Sequence, residues 1–558
     1  MKRLKVGLLI DSYDQAAWSA KMFDNIIESD FAEISLVILN DTPVAPTNHS
    51  VIQKISKNSD RLFSLVTHKL ADFVYNKLIE RNTQLPASDA NTNVKDRLRD
   101  FPTIQVEPDK KGLSEYFPTS DIEEIKAYDL DILVRAGFGI LRGEILTAAA
   151  YGIWSFHHGD NLVNRGGPAG FWESFENWPE TGSILQILSE DLDNGQVLYR
   201  SYSCTDSLSI KDNKNNYYWK TLTFMTRKMQ ELHRDGAEVF FSKVKADNEK
   251  PVFYSERLYT KPTSSEYANL VWRKLNEKIA TIIKNRLFLE QWILMFHIKE
   301  EFSSSLWRYQ KLIPPKDRFW ADPHIIYKND KYYIFFEELL YSTEKGHISL
   351  IEMDQTGHYS EPKVVLDLPY HLSYPFVFEH ENEYYMIPES LQNKTIELYK
   401  CIGFPDQWEF QMNLMEDIYA VDTTAFYHEG KWWLFANGVE TEGTSSWDEL
   451  YLFSSENLLS QNWAPHKNNP VVSDCKNSRP AGGIFTQGDK IYRPSQNCSF
   501  RYGYGFNINE ILKLDDQEYT EKTVSEVRPN WDKNILGTHT FNRVNQLHVI
   551  DAILKRRR

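Results

Sequence analysis

The pattern of apolar and polar positions changes once along the chain. Up to about residue 240, apolar runs of strand length alternate with amphipathic stretches. KVGLLI at 5–10 is such a run, a helical stretch follows around 15–28, and ISLVILN at 34–40 repeats the run. Strand, helix and strand with short links predict a βαβ opening and a parallel sheet. A polar helical segment is expected over 50–83, then a Ser/Asn/Thr-rich loop over 84–95. IEEIKAYDLDILVRAGFGIL predicts a helix running into a strand at Asp131–Ala136. SILQILSEDLDNGQVLYRSY (183–202) alternates as strand, turn and strand, and a helix at 217–234 closes an α/β domain over 1–242. Residues 243–310 read as a helical connector packed between domains, since KLNEKIATIIKNRLFLEQWIL carries helical spacing.

From about 320 the pattern repeats. The units begin ADPHIIYKNDKYYIFFEE (321), SYPFVFEHENEYYMIPES (373), VDTTAFYHEGKWWLFAN (421), SRPAGGIFTQGDKIYRPSQ (478) and THTFNRVNQLHVIDA (538). Each runs from a small-polar start through an apolar strand and a Gly/Asn/Asp turn to an aromatic strand. The first four add a further strand: HISLIEMD, TIELYKCIG, ELYLFSSEN and GYGFNINEIL. Such units at this spacing predict the blades of a five-bladed β-propeller over 311–558, with WILMFHIK (292–299) completing the last blade. The fold class expected is therefore multidomain: an α/β, Rossmann-like domain followed by an all-β propeller.

Composition narrows the classes. The 558 residues exceed one compact core, and 41% hydrophobic with 25% charged residues is an ordinary globular balance. A net charge of −15 disfavours general nucleic-acid binding. The basic end Lys555-Arg556-Arg557-Arg558 is the exception, and suits peripheral contact with a membrane. Four cysteines without CxxC spacing fit a reduced cytoplasmic setting and no metal site. No apolar run reaches the length of a signal h-region or a transmembrane span.

The densest chemistry lies in YGIWSFHHGDNLVNRGGPAGFW (151–172), where the carboxyl end of a strand meets polar and turn residues. Open α/β sheets bind ligands at such ends. His157, Asp193 and Ser155 are candidate site residues. His158, Asp160, Asn161 and Arg165 are candidate substrate contacts. In the propeller, repeat starts face the central funnel, which selects Asp322, Asp422, Arg479 and His539 as binding residues.

Two resemblances add to this. DLDILVRAGFGILRGEIL, GIWSFHHGDNLVNRGGP and TGSILQILSEDLDNGQVL resemble, in order and spacing, the folate-dependent formyltransferase family. Ser155-Phe156-His157 takes the place of its Asn-x-His, and Leu192-Asp193-Asn194-Gly195 that of its Asp-x-Gly turn. The resemblance implies His157 as acid/base, Asp193 as its partner, and 10-formyltetrahydrofolate as donor. PYHLSYPFVFEHENEYYMIPES, YAVDTTAFYHEGKWWLFAN and NPVVSDCKNSRPAGGIF resemble the propeller of glucosamine inositolphosphorylceramide transferases. Together they lead us to expect a cytoplasmic enzyme that transfers a formyl group to an amino sugar in surface-glycan or glycolipid synthesis, with the propeller binding the glycan. Two readings stay open beside it. One is a glycosyltransferase or other glycan-transfer enzyme with a nucleotide-sugar at the His-His-Gly-Asp loop. The other is a non-catalytic glycan-binding scaffold.

Overall fold

The computed structural model describes residues 2–43, 59–80, 86–302 and 304–558. The chain divides into two compact units: Met1–Lys278 with Thr441–Thr444, and Ile279–Glu440 with Ser445–Arg558. These bounds differ from the expected 242 and 311, because the connector does not behave as one piece. Its helix crosses the division, and its strand Phe288–Ile298 belongs to the second unit.

The first unit is a layered α/β structure. Its strands are β1 (Leu4–Ile10), β2 (Ala32–Asn40), β3 (Thr103–Val106), β4 (Ile132–Arg135), β5 (Ile153–His157), β6 (Glu180–Ile187) and β7 (Gln196–Cys204). They form one sheet in the order β7-β6-β5-β4-β1-β2-β3. The links β5–β4–β1–β2–β3 are parallel, and β6 and β7 add antiparallel strands at one edge. Among the described residues, its helices of eight residues or more are α1 (Ala17–Glu28), α2 (Ser59–Val74), α3 (Thr119–Lys126), α4 (Ile210–Asp235), α5 (Ala237–Asp247) and α6 (Ser264–Leu287), the last running on into the second unit. The expected βαβ opening is present. The expected 50–83 helix is described from Ser59 to Ile79, and the rest of that call lies outside the described residues.

Alternation along β1 explains the layers. Val6, Leu8 and Ile10 pack into a core shared with α1 and α4, whereas Leu9 enters the opposite core with Ile122 and Ile125 of α3. Successive strand residues face opposite ways, so an all-apolar run must be covered on both faces. A third cluster joins α2, through Ala71, and the π-helical turn Tyr75–Ile79 after it, through Tyr75, to Tyr267, Leu270 and Val271 of α6.

The second unit consists, among the described residues, of five antiparallel sheets of four or five strands. Four follow one another as consecutive meanders from Arg318 to Val527. In the fifth, Phe288–Ile298 pairs antiparallel with Leu547–Arg557, so the unit's first and last long strands lie side by side. The first strands of three sheets carry an irregularity near their starts, between Ala321 and His324, Ser373 and Phe376, and Val421 and Thr424. Asp322, Tyr374 and Asp422 there adopt positive φ of 52°, 41° and 51°. A left-handed residue in a bulge redirects its side chain out of the pleat.

Candidate functional site

Two polar constellations form, one in each unit. In the first unit, β5 delivers Ser155 and His157 to the carboxyl end of the parallel strands. An oxygen stands beside each nitrogen of the His157 ring. Nε2 lies 2.8 Å from the Asn164 carbonyl, which can only accept, so the proton is assigned to Nε2. Nδ1 then faces Asp193 Oδ1 at 3.4 Å. Asp193 sits at φ 51° in the turn between β6 and β7, and its other oxygen accepts the Gly166 N–H at 3.2 Å. The turn closes tightly: a Cβ on Gly195 would stand 1.9 Å from the Ile187 carbonyl, so only glycine fits.

The other predicted residues tie this centre together. Asn161 Nδ2 donates to the Asp193 carbonyl at 3.1 Å, and its Oδ1 accepts from Arg200 at 2.8 Å. Asp160 is capped by the Leu162 N–H at 3.1 Å, by the Tyr202 hydroxyl at 3.2 Å and by a short ion pair with Arg200. Arg165 donates to the Asn161 carbonyl and to Asn194 Oδ1, each at 3.0 Å, and lies over the Tyr254 ring. It is a brace between loops rather than an exposed anion contact. Ser155 accepts a bond from Arg135 at 3.2 Å. Burial pushes the Arg135 pKa down from its ordinary value; the guanidinium also holds the Phe138 and Gly139 carbonyls, and its Nε has no partner among the described residues.

His158 departs from expectation. It turns into an aromatic box of Trp18, Phe156, Tyr217 and Tyr218, and burial lowers its pKa to about 3. Enclosed by these rings, it does not join the His157–Asp193 pair, because alternation sends adjacent side chains to opposite faces.

Two cavities flank the Asp193 turn. One, of about 710 Å³, is lined by Asn161, Leu162, the 194–200 segment and the 247–252 segment. The other, of about 80 Å³, is lined by residues including Arg135, Ser155, Gln186 and Asp193. The first is in the size range of organic-ligand sites, whereas the second holds little more than a small polar group. Arg135, Arg200 and the Asn164–Glu173 pair (2.8 Å) were missed in the sequence. A lone arginine inside DILVRAGF was the available signal for the first.

In the second unit the four predicted funnel residues do converge. Arg479 forms a fork with Asp422 at 2.5 and 3.2 Å, and Glu389 approaches it at 3.6 Å. Gln496 donates to the same Asp422 oxygen at 2.7 Å. His539 Nδ1 lies 2.6 Å from Asp551, while Nε2 lies 3.1 Å from the Tyr502 hydroxyl and 3.5 Å from Asp322. Burial alone would lower the His539 pKa, but the Asp551 and Asp322 carboxylates outweigh it and raise it to about 9. Burial pushes Asp322 up to about 7 and Glu389 well above the carboxylate range. The cations Arg479 and His539 therefore stand opposite Asp422 and Asp551, and burial favours the neutral form of Glu389.

Asp322, His539 and Asp551 bring potential ligand atoms within 4.8 Å of one another. However, Asp551 already accepts the backbone N–H groups of Asp322, His539 and Thr540, and its carboxylate faces His539 Nδ1 at 2.6 Å. A carboxylate with its lone pairs so occupied suits a hydrogen-bonded cluster better than a cation.

Residues 313–554 match the N-terminal family model of glucosamine inositolphosphorylceramide transferase 1. A curated relative of that name from Oryza sativa subsp. japonica is 36% identical over 210 residues, which is 37% of this chain and 28% of the relative. The chain thus covers under a third of that protein. Among solved structures, the catalytic domain of a Coprinopsis cinerea GH62 α-L-arabinofuranosidase shares 11% identity over 47% of this chain and 97% of that one, at TM-score 0.34. A glycinamide ribonucleotide transformylase from Symbiobacterium toebii shares 14% over 44% of this chain and 89% of that one, at TM-score 0.24. Both scores are too low to carry an argument about this chain. The resemblance of the second unit to glucosamine inositolphosphorylceramide transferases stands. The expectation of formyl transfer to an amino sugar is corrected: the curated relatives are transferases of another kind, and they agree with the glycan-transfer alternative. No helix among the described residues is long and apolar enough to cross a membrane, which says nothing of spanning strands.

Proposed function

We propose that this chain takes part in glycan or glycolipid transfer. In this reading the second unit is a five-bladed propeller holding the glycan part at its central cluster, and the first unit takes a nucleotide-sugar beside the Asp193 turn. The observation that carries the proposal is the family match over 313–554, within which Asp322, Glu389 and Asp422 from three separate sheets gather with Arg479 and His539 from loops. Saccharide hydroxyls are bound by such mixed arrays of donors and acceptors.

The first unit offers chemistry in keeping with this. With its proton on Nε2, His157 can accept an acceptor-hydroxyl proton at Nδ1, where Asp193 stabilises the resulting imidazolium. The freed oxygen attacks the anomeric carbon as the bond to the nucleotide diphosphate breaks, and the diphosphate leaves with its electron pair. The 710 Å³ cavity bordering this turn, with Asn161, Arg200, Asn248 and Lys250 on its walls, is of nucleotide-sugar size.

A second reading, a glycan-binding scaffold without chemistry, is favoured by one fact: Nε2 of His157 and the side chains of Asp160 and Asn161 are all occupied within the protein. Thermal shift separates the two. A panel of nucleotide-sugars should raise the melting temperature of the wild type, because a ligand of the folded state stabilises it by mass action. Arg200→Ala should abolish that rise. Stabilisation by free glycans with no response to any nucleotide-sugar would decide for the scaffold.

A further inference from the structure

The second half of α6 leaves a row of large apolar side chains in solvent. Ile279, Ile282, Ile283 and Leu287 are each 46–57% exposed. Steps of three and four residues place them along one side of the helix. That helix end meets the basic C-terminus: the Arg558 N–H donates to the Leu287 carbonyl at 3.1 Å, and its Nε to the Asn285 carbonyl at 2.9 Å. Lys316 donates to the Arg557 carbonyl at 3.0 Å.

Arg286, Lys316, Arg557 and Arg558 therefore surround the end of the apolar row. None of the four has a carboxylate within 4.0 Å among the described residues. The neighbouring charges are already matched, Lys284 by Glu290 at 2.8 Å and Asp317 by Arg318 at 3.1 Å. On a chain of net charge −15 this is a local reversal of sign.

We propose that this patch docks the protein on an anionic lipid surface. The isoleucines enter the headgroup boundary, and the unmatched cations lie against lipid phosphates. An apolar helix face and a basic cluster are the two signals that reversible membrane attachment needs, since either alone is marginal. A second copy fits less well, because an isologous contact would bring two sets of the same cations together. The proposal uses none of the residues assigned to glycan transfer and stands or falls separately from it.

The test is co-sedimentation of the full chain with phosphatidylcholine vesicles, with and without phosphatidylglycerol. Binding to the anionic vesicles should be at least about tenfold tighter and should weaken with added salt. Ile282→Ser with Ile283→Ser, and separately Arg557→Glu with Arg558→Glu, should each cut that binding at least about tenfold at an unchanged melting temperature. Equal or absent binding to the two vesicle types overturns the proposal, as does anionic binding that neither pair of substitutions weakens. A dimer in light scattering that the serine pair dissociates, without vesicle binding, overturns it too and gives the face to a second copy.

Discussion

The two polar constellations use the same kinds of side chain in opposite ways. At the end of β5, Asp193 and Arg200 line cavities at the rim of the sheet, and their pairings with His157 and Asp160 behind them hold two loops in place. In the second unit, Asp322, Asp422, Arg479, His539 and Asp551 are buried, and they answer one another's charge. A rim charge can exchange its partner for water or ligand at small cost. A buried charge that loses its partner is stranded in a medium that cannot solvate it. Function should therefore be separable from stability in the first unit and inseparable from it in the second.

The largest expected effect follows from that contrast. Asp422→Ala leaves the Arg479 guanidinium with only Glu389 at 3.6 Å, and the usual penalty for breaking such a buried pair is about 3–5 kcal/mol. Chemical denaturation followed by tryptophan fluorescence measures it, and an unchanged midpoint would break the comparison at its strongest point.

The pH dependence comes next. His539 rises to about 9 in the folded state from about 6.5 unfolded, so the fold binds its proton more tightly. That stability is complete below about 6.5 and is lost as pH rises through about 9. Asp322, raised to about 7, works in the same direction at lower pH, because the unfolded chain ionises it first. Melting temperature should fall between near-neutral and alkaline pH, and His539→Gln should flatten the alkaline part of the fall.

Asp193→Asn sharpens the other side. It removes the carboxylate that stabilises a protonated His157, which should lower transfer by about 100-fold or more while stability changes by less than about 1 kcal/mol. A large loss of stability with activity retained would mean that the rim pair is structural. The smallest effect is expected at Glu173. Burial raises its pKa and so favours the neutral form, and its Oε1 accepts from Asn164 at 2.8 Å, a bond that the amide oxygen of Glu173→Gln can also accept. Its denaturation midpoint should move by no more than about 1 kcal/mol equivalent.

Much of the fold was legible because its signals are local. The apolar run 5–10 and the alternation over 183–202 carry their own periods, and β1, β6 and β7 follow them. The strands after 320 were marked by turn residues between aromatic runs, and the observed strands Lys345–Asp354, Thr395–Gly403 and Glu449–Ser455 fall on three quoted segments. The connector was misjudged because helical spacing does not say what a helix packs against. The first half of α6 enters a core with α2, while its second half stays exposed. His158 was misjudged for a related reason: side by side in sequence, two histidines at a strand end share neither face nor environment.

The sequence by itself determined where strands and helices run and which polar residues stand at their ends. Periods of 2 and 3.6 residues are properties of neighbouring positions. Only the tertiary structure decided which charge answers which. Asp422 meets Arg479 across 57 positions, and Asp551 accepts the Asp322 N–H across 229. In a low-dielectric interior those pairings, rather than residue identity, set whether a carboxylate is an anion, a neutral acid or part of a proton-accepting pair.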